Sequence, residues 1–177
     1  MALKSSIYKA QLNVADMERN HFADYSLTLA RHPSETEERL MMRILAFAMR
    51  AQERLEPARG LSDVEEPDLW AKDYGGQILE WIELGQPDEK RLQKAQSKSD
   101  SVWVLCYNHA AHVWFKQLEG KLARSDRLQI WHLPSQQAQS LAAACQRNMQ
   151  VQVTLQEGSI WFTVDQQAFE LQPARWL

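Results

Sequence analysis

Residues 66–94 read EPDLWAKDYGGQILEWIELGQPDEKRLQK, and the prediction of the fold begins with this segment. Two runs with strand character are joined by Gly75-Gly76, a pair suited to a two-residue hairpin turn because glycine tolerates positive φ. With those glycines as the turn, Asp68 faces Glu83 directly. Side chains directly opposite each other share a face of the sheet, with Cβ atoms roughly 4.5–5.5 Å apart. The sequence therefore predicts a hairpin over 69–84 that carries two carboxylates on one face.

Two carboxylates held this close repel each other unless a cation lies between them. Mg²⁺ is a suitable cation, since it binds one or two carboxylates together with substrate phosphate oxygens. The pairing predicts Asp68 and Glu83 as metal ligands and as catalytic residues. A register shifted by one residue, which a looser turn including Asp73 would allow, is the alternative. It would place the two acids on opposite faces and remove the site.

Metal-dependent phosphodiester hydrolysis uses such a pair of acids together with a lysine. The metal polarises the phosphoryl group and lowers the pKa of a bound water, and the lysine orients that water or stabilises the developing charge. Two residues after Glu83, on the same face of the strand, this chain has Gly85 and therefore no side chain. This glycine leaves space for a lysine that comes from elsewhere in the sequence.

The helix predicted over 87–98, with Pro87 at its first position, supplies the missing cation. We expect Lys94 to take the catalytic role, with Arg91 and Lys98 on the same helical face as phosphate contacts. Gln86 is a second candidate for the missing role, because an amide can also orient a water molecule. The alternative is that Arg91, Lys94 and Lys98 form an ordinary solvent-exposed helix face without a catalytic or binding role.

Glu37 is a further candidate for the catalytic site. Ser34 as the N-cap and Glu37 three residues later form a capping box, which predicts a helix that runs to about Arg54. Glu37 either supports the metal shell or only caps this helix, where an acid in the first turn is favoured in any case.

The remaining segments alternate strands and helices. Period-two alternation and apolar runs predict strands, and period-3.6 stripes predict helices. The expected strands lie near 7–16, 24–31, 102–107, 128–133, 151–155 and 159–164, and the expected helices cover 109–123 and 135–147. The predicted fold is one α/β domain over residues 1–177, with a mixed central sheet flanked by helices.

Composition and net charge limit the classes of binding partner and the cellular location that we expect. The 177 residues carry a net charge of −3, so any nucleic acid would have to bind a local basic patch. No signal segment opens the chain and no apolar run is long enough to span a bilayer, which excludes a membrane partner and predicts a cytoplasmic protein.

The pattern resembles two known groups. Pro67-Asp68 and Glu83 resemble the first two motifs of the PD-(D/E)xK nuclease superfamily. Over nearly its whole length the chain is similar to the bacterial YaeQ family, and this similarity is carried by residues 32–43, 60–62, 66–70 and 81–95. The resemblance implies a restriction-endonuclease-like core with a C-terminal hairpin and a displaced lysine. It implies a Mg²⁺-dependent nuclease or phosphodiesterase; the alternative is a non-catalytic nucleic-acid- or protein-binding module associated with transcription.

Overall fold

The computed structural model describes residues 4–122 and 125–177. The α/β class predicted from the sequence is confirmed. The single central sheet is wrong, because the described strands form two mixed sheets, one of five strands and one of six. The chain divides into two compact units, Met1–Gln52 with Gln136–Pro173 and Glu53–Ser135 with Ala174–Leu177. Each unit contains one of the sheets.

Strands and helices are interspersed along the chain. The strands are β1 (Ser6–Asp16), β2 (His21–Arg31), β3 (Leu55–Pro57), β4 (Leu69–Lys72), β5 (Ile78–Leu84), β6 (Ser99–Cys106), β7 (Leu128–His132), β8 (Asn148–Gln156), β9 (Ser159–Val164), β10 (Gln167–Leu171) and β11 (Ala174–Arg175). The helices are α1 (Glu37–Met49), α2 (Glu89–Lys98), α3 (Ala111–Glu119) and α4 (Ser135–Ala142). The end predicted for α3 at Ala123 lies outside the described residues.

The first unit contains the five-stranded sheet, in the order β10-β9-β8-β1-β2. β1 pairs antiparallel with β2 and parallel with β8. Alternate residues of β1, such as Leu12 and Val14, are buried, while those between them are exposed. This alternation gives the sheet one apolar face and one polar face. Phe47 of the buried helix α1 packs edge-on against Tyr25 of β2, with ring centroids 5.0 Å apart.

The start of α1 differs from the prediction. Thr36, not Ser34, is the N-cap, and its side chain accepts a hydrogen bond from the Arg39 backbone N–H. Glu37 is therefore the first helical residue and not the third, so the capping box is wrong. The helix ends at Met49, earlier than the predicted end near Arg54.

The second unit contains the six-stranded sheet, in the order β11-β7-β6-β5-β4-β3. The strand predicted near 102–107 is confirmed as β6, and it pairs in parallel with β5, the strand that carries Glu83. α2 ends at Lys98 as predicted, but Pro87 is not its first residue. Asp88 is the N-cap, and its carboxylate accepts a hydrogen bond from the Arg91 backbone N–H at 2.7 Å.

Three short strands were not predicted: β3, β10 and β11. The last of these pairs with β7, and Trp176 beyond it stacks on His132 with ring centroids 4.2 Å apart. In the part of the chain that the structure describes, no helix is both long and apolar enough to cross a bilayer.

Candidate active site

The hairpin of β4 and β5 turns through three residues and not through two. The Asp73 N–H donates to the Gln77 carbonyl at 2.9 Å, so Tyr74, Gly75 and Gly76 form the loop. Asp73 Oδ1 accepts hydrogen bonds from the backbone N–H groups of Gly75 and Gln77, each at 2.9 Å. Gly76 has φ +88°, a conformation that favours glycine. The predicted Gly75-Gly76 turn is therefore wrong.

A β-bulge restores the predicted register beyond this turn. Lys72 pairs with Ile78, whereas Ala71 pairs with Glu80, so Leu79 is an extra residue on β5. The three-residue loop and the bulge offset each other. Trp70 then pairs with Trp81, and their rings pack edge-on with centroids 6.4 Å apart.

Asp68 binds both residues that flank Glu83. Its backbone N–H donates to the Ile82 carbonyl at 3.1 Å, and its Oδ2 accepts a hydrogen bond from the Leu84 N–H at 2.9 Å. Asp68 is only 2% exposed. Asp68 therefore lies just before β4 and next to the part of β5 that carries Glu83, and the register from Leu69 onward agrees with the prediction.

Gly60 makes room for the Asp68 carboxylate. It has φ +53°, and a Cβ atom at this position would lie 2.8 Å from Asp68 Oδ1. Any other residue would both strain the backbone and displace the carboxylate. The position of Asp68 therefore depends on a glycine eight residues earlier.

Glu83 is a buried carboxylate with two hydrogen-bond donors on one oxygen. Its Oε1 accepts from the Trp81 indole Nε1 at 2.8 Å and from Arg91 Nε at 2.7 Å. Burial raises the pKa of Glu83 and the nearby charge of Asp68 raises it further, while Trp81 and Arg91 act in the opposite direction. The charge of Asp68 therefore disfavours the ionised form of Glu83, as expected for two carboxylates that lie near each other.

Arg91 connects α2 with β5 and with the loop before β4. Besides Glu83, its guanidinium donates to the carbonyls of Val64 and Glu66, the latter at 2.9 Å. The sequence predicts Arg91 as a phosphate contact; the structure places it against the second acid of the site.

Lys94 and Lys98 both bind Glu65. Their Nζ atoms lie 2.5 Å and 3.3 Å from Glu65 Oε2. The hydrogen bond from Lys94 is the largest cause that lowers the pKa of Glu65. The two lysines of the basic face predicted for α2 are therefore paired with a single acid, Glu65, on the loop before β4, and both lysines remain partly exposed.

Gln86 follows the end of β5 by two residues. Its Nε2 is buried and has no hydrogen-bond partner among the described residues. An orphaned amide three residues after Glu83 is a polar group that a ligand, a water or a metal-bound oxygen could satisfy.

Glu37 belongs to the first unit. Its side chain is 49% exposed, and its Oε1 lies 3.9 Å from Arg31 Nη1. This is the environment of a first-turn acid, and the support of a metal shell by Glu37 stays a prediction.

Two features were not predicted from the sequence: the partner Trp81 of Glu83, and a separate buried cluster around Glu35. Trp81 is two residues before Glu83 on the same strand, and this spacing already places both side chains on one face. In the first unit, the buried Glu35 accepts hydrogen bonds from Arg39 and Arg43, each at 2.7 Å. The spacing of four residues between these three positions is a signal that could have identified this cluster.

The donor set of Asp68 and Glu83 fits a hard divalent cation. Mg²⁺ takes one or two protein carboxylates and completes its shell with waters and phosphate oxygens. Within 4–122 and 125–177, no group of three or more His, Cys, Asp or Glu side chains is arranged to hold a metal.

The family model described as YaeQ protein matches residues 1–173. The chain belongs to the YaeQ family. It is 45% identical over 177 residues to the uncharacterized protein YaeQ of Salmonella typhi and to that of Escherichia coli (strain K12), covering 99% of this chain and 98% of each relative. The name of these YaeQ relatives states no activity.

Two crystallised YaeQ proteins have the same fold. The protein from Xanthomonas axonopodis pv. citri superposes with a TM-score of 0.94 at 43% identity, covering 97% of this chain and 98% of that one. The protein from Pseudomonas syringae gives a TM-score of 0.93 at 35% identity, covering 98% and 96%. The α/β fold described above is therefore that of crystallised YaeQ proteins.

Proposed function

We propose that this member of the YaeQ family is a Mg²⁺-dependent nuclease or related phosphodiesterase with a variant PD-(D/E)xK site on a restriction-endonuclease-like core. One observation carries the proposal: Asp68 is hydrogen-bonded to both residues that flank Glu83, which holds two buried carboxylates together. Burying two acids side by side is costly unless a cation compensates them.

Asp68 and Glu83 would hold the metal. When bound, Mg²⁺ supplies Lewis-acid activation of the phosphoryl group and lowers the pKa of a coordinated water. Arg91 and Trp81 fix the orientation of the Glu83 carboxylate through its Oε1. Gly60 leaves the space that Asp68 occupies.

Lys94 and Gln86 are the proposed groups for orienting the attacking water. Lys94 lies one helical turn after Arg91, and its contact with the exposed Glu65 is readily exchanged. Gln86 offers an amide whose Nε2 has no partner among the described residues. Lys98 and the donors of Arg91 that do not bind Glu83 are the proposed phosphate contacts.

A second candidate function is a binding module that does not hydrolyse its ligand. The observation that favours it is the ion pair of Arg91 with Glu83, which already provides a cation to one of the two acids. In this case Asp68 and Glu83 would stabilise the hairpin, and a nucleic acid or a protein would bind without being cleaved.

Cleavage of single-stranded DNA, duplex DNA and RNA with Mg²⁺ or Mn²⁺ tests the proposal. We expect Asp68→Asn and Glu83→Gln to lower the rate by at least on the order of 100-fold. Glu80→Gln is the matched control, because Glu80 is a buried acid of β5, 4% exposed, that alternation places on the other face. Its rate should equal that of the wild type.

The outcomes separate the two candidates. Equal residual cleavage by the wild type and Asp68→Asn would indicate a contaminating nuclease and contradict the proposal. Retention of a nucleic acid, measured by fluorescence anisotropy without any cleavage, would support the binding module. Full activity of Lys94→Ala would remove Lys94 from the site and leave Gln86 as the residue to test.

A further inference from the structure

The outward face of the five-stranded sheet is unusually neutral. Solvent-exposed sheet faces are normally rich in Lys, Arg, Glu and Asp. Here the outward positions of β1, β2, β8 and β9 carry mostly amides and hydroxyls, including Gln11, Asn13, Ser26, Gln150, Gln152 and Thr163. These side chains line a groove of about 460 Å³ within the first unit.

The groove is a continuous grid of hydrogen-bonding groups. Asn13 Nδ2 donates to Asp24 Oδ1 at 2.7 Å, and Ser26 Oγ donates to Gln11 Oε1 at 2.8 Å. Asn13 is paired across the sheet with Gln152, which in turn is paired with Thr163. Amide side chains present donors and acceptors together, so the grid can match a ligand whose groups both donate and accept.

Two exposed aromatic rings stand at the ends of the neighbouring row. The register aligns Phe22, Ala15, Thr154 and Trp161 across β2, β1, β8 and β9. Phe22 is 56% exposed and Trp161 is 49% exposed. Three strand spacings separate these two positions, roughly 14 Å, with only the small Ala15 and Thr154 between them. The result is a shallow slot beside the groove with an apolar ring at each end.

The charges on the outward face of the five-stranded sheet are unfavourable for binding a polyanion. Asp24 and Asp165 line the groove, and Lys9 is the cation among the outward residues of the described strands of this sheet. A nucleic acid needs an excess of Lys or Arg near its phosphates, which this face lacks. A neutral ligand therefore fits better than a phosphate-bearing one.

We propose that this groove binds a neutral oligosaccharide. Sugar hydroxyls both donate and accept hydrogen bonds, which matches the amide and carboxylate groups of the groove. The C–H faces of sugar rings stack on aromatic side chains, which Trp161 and Phe22 offer. This inference is independent of the proposed hydrolytic site, because every residue that carries it belongs to the first unit.

The full-length protein, labelled with ¹⁵N, is titrated with cellohexaose, chitohexaose and maltohexaose at millimolar concentrations. We expect at least one of them to shift the side-chain amides of Gln11, Asn13, Gln150 and Gln152 and the indole signal of Trp161. Trp161→Ala should weaken that binding on the order of tenfold, because stacking on an exposed ring is lost. Ile7→Ala is the matched control: Ile7 is 48% exposed on the same face but outside the groove, and its variant should bind as the wild type does.

Several results would overturn this inference. One is the absence of shifts with all three hexasaccharides. Another is unchanged affinity in a folded Trp161→Ala variant, judged by its amide spectrum. A third is a stronger response of the same signals to heparin or oligo-dT, which would mean that the face binds polyanions.

Discussion

Arg91 Nε lies 2.7 Å from Glu83 Oε1, which joins α2 to β5 at the buried acid pair. The sequence predicts a cation next to Asp68 and Glu83, and in the structure a guanidinium fills part of this requirement. In the proposed site, a metal ion would therefore share the Glu83 carboxylate with Arg91. This relationship decides whether Glu83 serves as a metal ligand or only as the partner of Arg91.

Replacement of Arg91 by Ala should destabilise the fold by about 2–4 kcal/mol, because it leaves the buried Glu83 carboxylate without its cation. The variant also loses the hydrogen bonds to the carbonyls of Val64 and Glu66. Urea unfolding measures the loss. Lys94→Ala is the matched control on the same helix and removes only the exposed contact with Glu65, so its effect should be much smaller. Equal losses would contradict the importance of the Arg91–Glu83 pair.

Glu83→Gln should become more stable relative to the wild type as the pH rises above the ordinary glutamate pKa of 4.5. Because the pKa of Glu83 is raised in the folded state, its favourable contribution is complete below the unfolded pKa and is lost as the pH rises through the folded value. The glutamine does not titrate and escapes this loss, which is roughly 1.4 kcal/mol for each pH unit by which the pKa is raised.

Urea unfolding at several pH values checks this trend, and Glu65→Gln supplies a control of opposite sign. The pKa of Glu65 is lowered by Lys94, so its contribution is present above the unfolded pKa and disappears as the pH falls through the folded one. Glu65→Gln should therefore become less stable relative to the wild type as the pH rises. If the relative stability of both variants changed in the same direction with pH, the opposite pKa shifts of Glu83 and Glu65 would be refuted.

Gly60→Ala should destabilise the protein more than Gly76→Ala. Both glycines have positive φ, but only at Gly60 would a Cβ meet a neighbour, Asp68 Oδ1 at 2.8 Å, whereas nothing lies within 4 Å of the same atom at Gly76. We expect a backbone cost of about 1 kcal/mol in both and an additional loss in Gly60→Ala. Hydrogen exchange of the Leu84 amide, which donates to Asp68, should accelerate in Gly60→Ala beyond the change in global stability. Indistinguishable variants would show that Asp68 does not depend on Gly60.

Thr36→Ala should cost about 1 kcal/mol of stability, the usual loss for an N-cap whose side chain accepts a hydrogen bond. Ser34→Ala is the control, since Ser34 lies two residues before the cap and should change stability by less than about 0.5 kcal/mol. Thermal unfolding compares the two. A larger loss in Ser34→Ala would favour the capping box predicted from the sequence.

The register of β4 against β5, with Leu69 opposite Ile82 and Trp70 opposite Trp81, is predicted correctly although the turn is not. Gly75-Gly76 permits both a two-residue and a three-residue loop, and Leu79 resembles any other strand residue, so the bulge has no sequence signal. The loop and the bulge shift the register by one residue in opposite directions. The alternation of apolar and polar residues in β4 and β5 does not by itself distinguish a two-residue loop from a three-residue loop with a bulge.

The partners of the basic residues on α2 could not be predicted from local patterns. Arg91, Lys94 and Lys98 share a helical face, as expected from their spacing. Their contacts with Glu66 and Glu65 depend on where the chain passes before β4, which is a tertiary property. The separation into two sheets is a similar case, because β1 pairs in parallel with β8, a strand more than 130 residues later, and nothing local indicates that pairing.

Paramagnetic broadening by Mn²⁺ tests the central claim, that Asp68 and Glu83 hold a divalent cation. Mn²⁺ added to ¹⁵N-labelled protein should first broaden the Leu84 amide and the Trp81 indole, since these groups donate to the two carboxylates. The broadening should disappear in the Asp68→Asn Glu83→Gln double variant and should be reduced by competing Mg²⁺. The claim would be contradicted if Mn²⁺ broadened other signals and left the Leu84 amide and the Trp81 indole sharp. Broadening of these two signals that persisted in the double variant would also contradict it.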